Sequence, residues 1–84
     1  MNYLIELTED ALRELSRIPR NIRNGILTAI KERLSEAPRR FKPLVGNWKG
    51  FFRLRVGDYR VVYKVEDERV TVVVVRVAPR GCVY

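Results

Sequence analysis

The chain has 84 residues, enough for one small domain whose folding buries only about 60–65% of its unfolded surface. It carries 17 Lys and Arg against 10 Asp and Glu, a formal charge of +7, and no histidine. Without histidine, Ser-His-Asp and Cys-His nucleophile pairs, histidine zinc sites and histidine acid–base pairs are excluded. The single cysteine, Cys82, excludes an intrachain disulfide and a cysteine metal cluster, so neither a metal nor a small-molecule cofactor is expected. Hydrophobic residues at 46% suffice for a packed core. No apolar run approaches the ~18 residues of a membrane span, and no basic-then-apolar leader opens the chain, so a cytoplasmic protein is expected.

Taken in chain order, residues 2–7 are short and rich in β-formers and predict a first strand. Thr8 then reads as a helix N-cap, with Glu9 and Asp10 in the first turn where the helix dipole favours negative charge. Leu12, Leu15 and Ile18 supply an apolar stripe, and Pro19 ends this helix. Asn21 is placed to cap a second helix running to about residue 36. Its stripe is Ile22, Ile26, Ile30 and Leu34, widened by Leu27 and Ala29. Residues 37–50 form a connector marked by Pro38, Pro43, Gly46 and Gly50.

From Phe51 the apolar period changes to two. Strands are predicted over residues 51–56, 59–65 and 70–77, joined by turns at Gly57-Asp58 and Glu66-Asp67-Glu68. Turns this short force antiparallel neighbours. The run Val72-Val73-Val74-Val75 is apolar on both parities, as suits a central strand covered on both faces. The fold class is therefore α+β: an N-terminal strand, an α-helical hairpin, then a three- to four-stranded antiparallel β-meander.

The charge sorts along the chain. Residues 1–37 carry six basic and six acidic residues, whereas residues 38–84 carry eleven basic and four acidic ones. A surplus confined to one segment suits a polyanionic partner. Parity sharpens this. With Phe52, Leu54 and Val56 on one face of their strand, Arg53 and Arg55 occupy the other, as do Arg60 and Lys64 on the next strand. An unpaired buried cation is prohibitively costly, so the charged parity is the open face. Arg76 is placed on that face too.

The stretch Leu44-Val45-Gly46-Asn47-Trp48-Lys49-Gly50-Phe51-Phe52-Arg53-Leu54-Arg55-Val56-Gly57-Asp58-Tyr59-Arg60-Val61-Val62-Tyr63 resembles the signature of the RelE/ParE toxin superfamily. There, a Leu-x-Gly segment precedes an Arg-x-Gly-x-Tyr-Arg-x-x-Tyr hairpin. The tail from Val77 to Tyr84, with Arg80 shortly before Val83-Tyr84, resembles the closing segment of the same superfamily.

This resemblance implies the toxin of a type II toxin–antitoxin pair. In the RelE branch that toxin is a metal-independent endoribonuclease that cleaves messenger RNA in the ribosomal decoding site. A RelB-like antitoxin holds it inactive. The ParE branch shares the fold but poisons DNA gyrase without nuclease chemistry, and an inactive homologue that only binds antitoxin is a third reading. Carried over by position, the matches are Arg60, Arg80 and Tyr84, with Arg53 on a family lysine and Arg55 on a basic neighbour, which makes Arg53, Arg60, Arg80 and Tyr84 the expected catalytic set. Arg55 is expected to bind RNA, together with the basic residues Lys49, Lys64 and Arg76 read from charge and strand parity. Phe51 stands where the RelE branch has a second lysine.

Cleavage by the neighbouring 2′-hydroxyl builds charge on the phosphate and then on the departing 5′-oxygen. Fixed cations aimed at that charge lower the barrier. The planar fork of Arg can grip two phosphate oxygens at once, which suits Arg53 and Arg60. A guanidinium hardly gives up its proton, so neutralisation of the leaving oxygen is the role that fits Arg80. Tyr84 could move a proton or stack on a base. So weak an acid–base apparatus needs a pre-bent substrate, which is consistent with dependence on the ribosome.

Overall fold

The computed structural model describes residues 2–81. Strand β1 (Leu4–Leu7) leads into helix α1 (Glu9–Ser16) and helix α2 (Arg20–Ala29), which continues as a π-helical turn over Ile30–Leu34. After a 3₁₀ turn at Pro38–Arg40 come the two-residue strand β2 (Lys42–Pro43) and a second 3₁₀ turn at Gly46–Trp48. Strands β3 (Phe51–Val56), β4 (Tyr59–Glu66) and β5 (Thr71–Pro79) complete the described chain. The five strands form one sheet in the order β1-β5-β4-β3-β2. Strands β2 to β5 are an antiparallel meander, and β1 adds to β5 in parallel. The α+β architecture expected from the sequence is the one observed. The parallel edge and the strand inside the 37–50 connector are additions to it.

Both helices cover one side of the sheet. Ala11, Leu15, Ile18, Ile26, Ala29, Ile30 and Leu34 pack on Leu54, Val61, Tyr63, Val72, Val74 and Val77. Thr8 caps α1 as expected, its hydroxyl accepting from the Ala11 amide at 3.2 Å. Three stripe assignments, one in α1 and two in α2, need correction. Leu12 is exposed, and Ala11 takes its place in the core. At ~100° per residue the positions 11, 15 and 18 stay on one line, whereas 12, 15 and 18 drift steadily round the helix. Ile22 and Leu27 are likewise exposed. A strict four-residue spacing rotates off the core face, and the i→i+5 turn at Ile30–Leu34 realigns it by absorbing an extra residue. The N-cap of α2 is Pro19 with no side-chain cap bond, so Asn21 lies in the first turn instead of capping it.

Tyr63 ties the connector to the core. Its ring stacks on Phe52 with centroids 5.6 Å apart, and its buried hydroxyl donates to the Pro38 carbonyl at 2.6 Å. Burial pushes this phenol well above its ordinary pKa, so it stays a donor. The β3–β4 turn relies on Gly57 at φ +57°, a conformation open to glycine at little cost. The β4–β5 turn instead places Val70 at φ +47°, a strained position for a β-branched residue.

A cationic band on the open face of the sheet

The register places the arginines. Arg55 stands directly opposite Arg60 across β3 and β4, and Arg60 is opposite Ala78 of β5. Two residues further along the strands, Lys42, Arg53, Val62 and Arg76 form the next row. All these positions carry the parity opposite to the core residues Leu54, Val61 and Tyr63, so they belong to the face without helices. Arg80 follows β5 directly with the parity of Ala78. Its amide donates to the Asp58 carbonyl at 2.7 Å, which brings it to the β3–β4 turn. Arg53 and Arg60 are half-buried and Arg60 Nε is wholly buried, whereas Arg55 and Arg80 are exposed.

Compensation is sparse here. Among the described residues no carboxylate forms an ion pair with Arg53, Arg55 or Arg80. Asp58, the nearest acid in sequence, does not pair with Arg55, whose Nε instead approaches the Gly57 carbonyl at 3.5 Å. Arg55 directly opposite Arg60 concentrates positive charge at one point of the sheet, as an anion site requires. Guanidinium forks match phosphate geometry. The arrangement can hold a polyanion and stabilise negative charge developing on it.

The other expected site residues fall elsewhere. Lys64 shares the open face but pairs with Glu66 at 3.3 Å. Lys49 is exposed on the turn before β3. Beside it Trp48 meets Phe51 edge-on, with centroids 5.1 Å apart, so an aromatic pair occupies the rim next to Lys64. Arg76 is held differently from the other cations of its row. Its backbone does sit opposite Val62, but its guanidinium is bidentate to Glu14 of α1, at 2.9 Å and 3.0 Å to Oε2. Tyr84 and Cys82 lie outside the described residues.

Two participants escaped the sequence reading. Lys42 reaches the band because β2 pairs it with Arg53, and no alternation can show in a two-residue strand. Glu14 lies in the charge-balanced half of the chain, and only the tertiary fold brings it to β5. Among the described residues no group of three or more Cys, Asp or Glu side chains is arranged to hold a metal ion. No described helix is long and apolar enough to cross a membrane.

Comparison with known proteins agrees with this geometry. The family model described as ParE toxin of type II toxin-antitoxin system, parDE, matches residues 5–84. Toxin RelG of Mycobacterium tuberculosis is 36% identical over 85 aligned positions, covering 100% of this chain and 98% of the relative. Toxin RelE of the same organism is 34% identical, covering 98% of this chain and 86% of that protein. Among solved structures, the toxin–antitoxin complex RelBE2 of M. tuberculosis superimposes with a TM-score of 0.90 at 35% identity. That match covers 98% of this chain and 95% of the other. With its whole sheet and helical hairpin shared and its sequence matched from residue 5 onward, the chain belongs to the ParE toxin family of type II toxin–antitoxin systems, within the RelE-like superfamily.

Proposed function

We propose that this chain is a ribosome-dependent endoribonuclease, a toxin that cleaves messenger RNA in the decoding site and is restrained by a RelB-like antitoxin. The single observation that carries the reading is the gathering of Arg53, Arg55, Arg60 and Arg80 at one end of the open face, where Arg53, Arg55 and Arg80 form no ion pair with an acid among the described residues. In this reading Arg53 and Arg60 hold the scissile phosphate, and Arg55 steadies the RNA backbone. Arg80 neutralises the leaving oxygen, while Tyr84 assists proton movement or stacks on a base. Lys49 and Lys64 supply diffuse attraction at the rim. The chemistry rests on side chains without a metal ion. The toxins RelG and RelE and the RelBE complexes to which the chain is similar support the toxin role and the antitoxin partner. A cytoplasmic location follows from a ribosomal target.

A second reading has its own support, since the matching family is named for ParE. A ParE-type toxin would inhibit DNA gyrase through contact alone. Expression of the wild type beside Arg60→Ala and Tyr84→Ala separates the two. The nuclease reading expects growth arrest with message ends cut at ribosomal A-site positions, lost in both variants. Growth arrest with intact transcripts and trapped gyrase–DNA complexes would move the assignment to ParE.

A further inference from the structure

Beyond Leu7, which pairs with Val74, strand β1 ends, and the outer edge of β5 loses its strand neighbour. Unpaired backbone groups at an edge need other partners. Helix α1 supplies them with both its ends. The Thr8 amide donates to the Val74 carbonyl at 3.0 Å, and the Thr8 hydroxyl donates to the Val75 carbonyl at 3.2 Å. Six residues on, Glu14 Oε1 accepts the Val77 amide at 2.7 Å.

This last bond falls at a special point. Val62 pairs with Arg76 but Tyr63 pairs with Val74, so Val75 is an extra residue in β5. A bulge bends its strand and disrupts the ladder locally. In the segment beyond it the pairing with β4 resumes, from Val62–Arg76 to Tyr59–Pro79, but the outer edge has no strand among the described residues and depends on other anchors. That segment runs through Ala78, opposite Arg60, to Arg80. It is fixed on the β4 side by that ladder and the Arg80 amide on the Asp58 carbonyl, and on the outer side by Glu14. Arg76 in turn fixes the carboxylate, both of its bonded nitrogens converging on Glu14. The side chains of Glu14 and Arg76 are 23% and 32% exposed, so this is a sheltered, charge-assisted pair.

We infer that Glu14 is a positioning residue for the proposed nuclease site: through the Val77 amide it holds the β5 segment that faces Arg60 at Ala78 and carries Arg80 to the β3–β4 turn. The same carboxylate keeps Arg76 out of the cationic band, so the phosphate is met by Arg53, Arg55, Arg60 and Arg80. The inference rests on the nuclease reading for its catalytic consequence but not for its structural one.

Two measurements on the full chain separate these parts. Amide hydrogen exchange is followed by NMR at Val77, Arg80 and Leu54 in the wild type, Glu14→Gln and Glu14→Ala. Losing a hydrogen bond to a charged acceptor speeds Val77 exchange by about tenfold or more in Glu14→Ala. Leu54 in β3 stays protected, and Glu14→Gln, which keeps an acceptor oxygen, remains near the wild type at Val77. Cleavage of ribosome-bound message then shows kcat reduced in Glu14→Ala at unchanged KM, with Glu14→Gln restoring most of it. Equal acceleration at Val77 and Leu54 would reduce Glu14 to a general stabiliser and overturn the inference. So would a wild-type kcat in a Glu14→Ala chain whose Val77 amide is released. A wild type that cuts no ribosome-bound message sinks the nuclease reading instead, and the exchange data still decide whether Glu14 anchors the segment.

Discussion

At the end of β4 that turns into β5, Lys64 and Arg69 both reach Glu66, Arg69 also reaches Glu6, and Arg39 reaches Asp67, which further accepts from the Tyr3 hydroxyl. At the other end of the same strand Arg55 faces Arg60, and neither Arg53 nor Arg80 pairs with a described acid. The two ends share one core, one sheet and one side-chain chemistry. They differ in compensation. Exposed ion pairs contribute roughly 0–1 kcal/mol each, and like charges facing each other across strands cost a similar amount. Leaving Arg53, Arg55 and Arg80 without an acid partner among the described residues therefore costs little stability, and it leaves an electrostatic field where a polyanion can recover the difference on binding. The turn at the compensated end has a further burden, the left-handed Val70. Acidic and basic partners gathered around it hold a backbone that its own residue disfavours.

Substitution at the two ends should therefore separate activity from stability. The largest effect belongs to Arg60→Ala, which lowers cleavage of ribosome-bound message by ~10²–10³ while the thermal midpoint stays close to that of the wild type. A variant that unfolds as readily as it loses activity would place Arg60 with the structural residues and erase the contrast. Below both ends lies Tyr63, which serves neither selectively. Tyr63→Phe leaves the Pro38 carbonyl without its buried donor and costs about 1–3 kcal/mol in denaturant unfolding. A loss confined to activity would show that the connector, and not the core, is what Tyr63 supports. Arg55→Ala is milder. As a backbone contact it weakens ribosome binding uniformly across messages and reduces the slope of log affinity against log salt by about one. An unchanged slope would take Arg55 out of the interface.

How much of this was legible before the coordinates depended on range. Alternation over residues 51–56 and 59–65 is local, so it located β3, β4 and the facing of Arg53, Arg55 and Arg60. The Thr8 cap was equally local. The parallel β1–β5 pairing joins residues some 67 positions apart, as Leu4 with Thr71, and no short-range pattern encodes it. Arg76 illustrates a different limit. Strict alternation with Val72 and Val74 would send it into the core. The extra residue Val75 restores it to the open side, and the flexible arginine stem then carries the charge round to Glu14. Parity states where a side chain leaves the backbone, and for arginine that is far from where the charge ends up.

The smallest effect tests the compensated end through pH. Lys64, and after it Arg69, holds the Glu66 carboxyl below its usual range. A group whose folded pKa is lowered stabilises the fold while ionised, so its contribution is complete above the unfolded value near ~4.3. That contribution fades as pH falls through the folded value. Glu66→Gln should accordingly be slightly less stable than the wild type at neutral pH, and the two melting curves should converge as the solution is acidified below the ordinary carboxylate range. Added salt should close the same gap at neutral pH by screening the exposed pairs. Cleavage activity measured at neutral pH should not move. If Glu66→Gln instead altered turnover, the two ends of β4 would be coupled, and their separation into a stabilising end and a binding end would no longer hold.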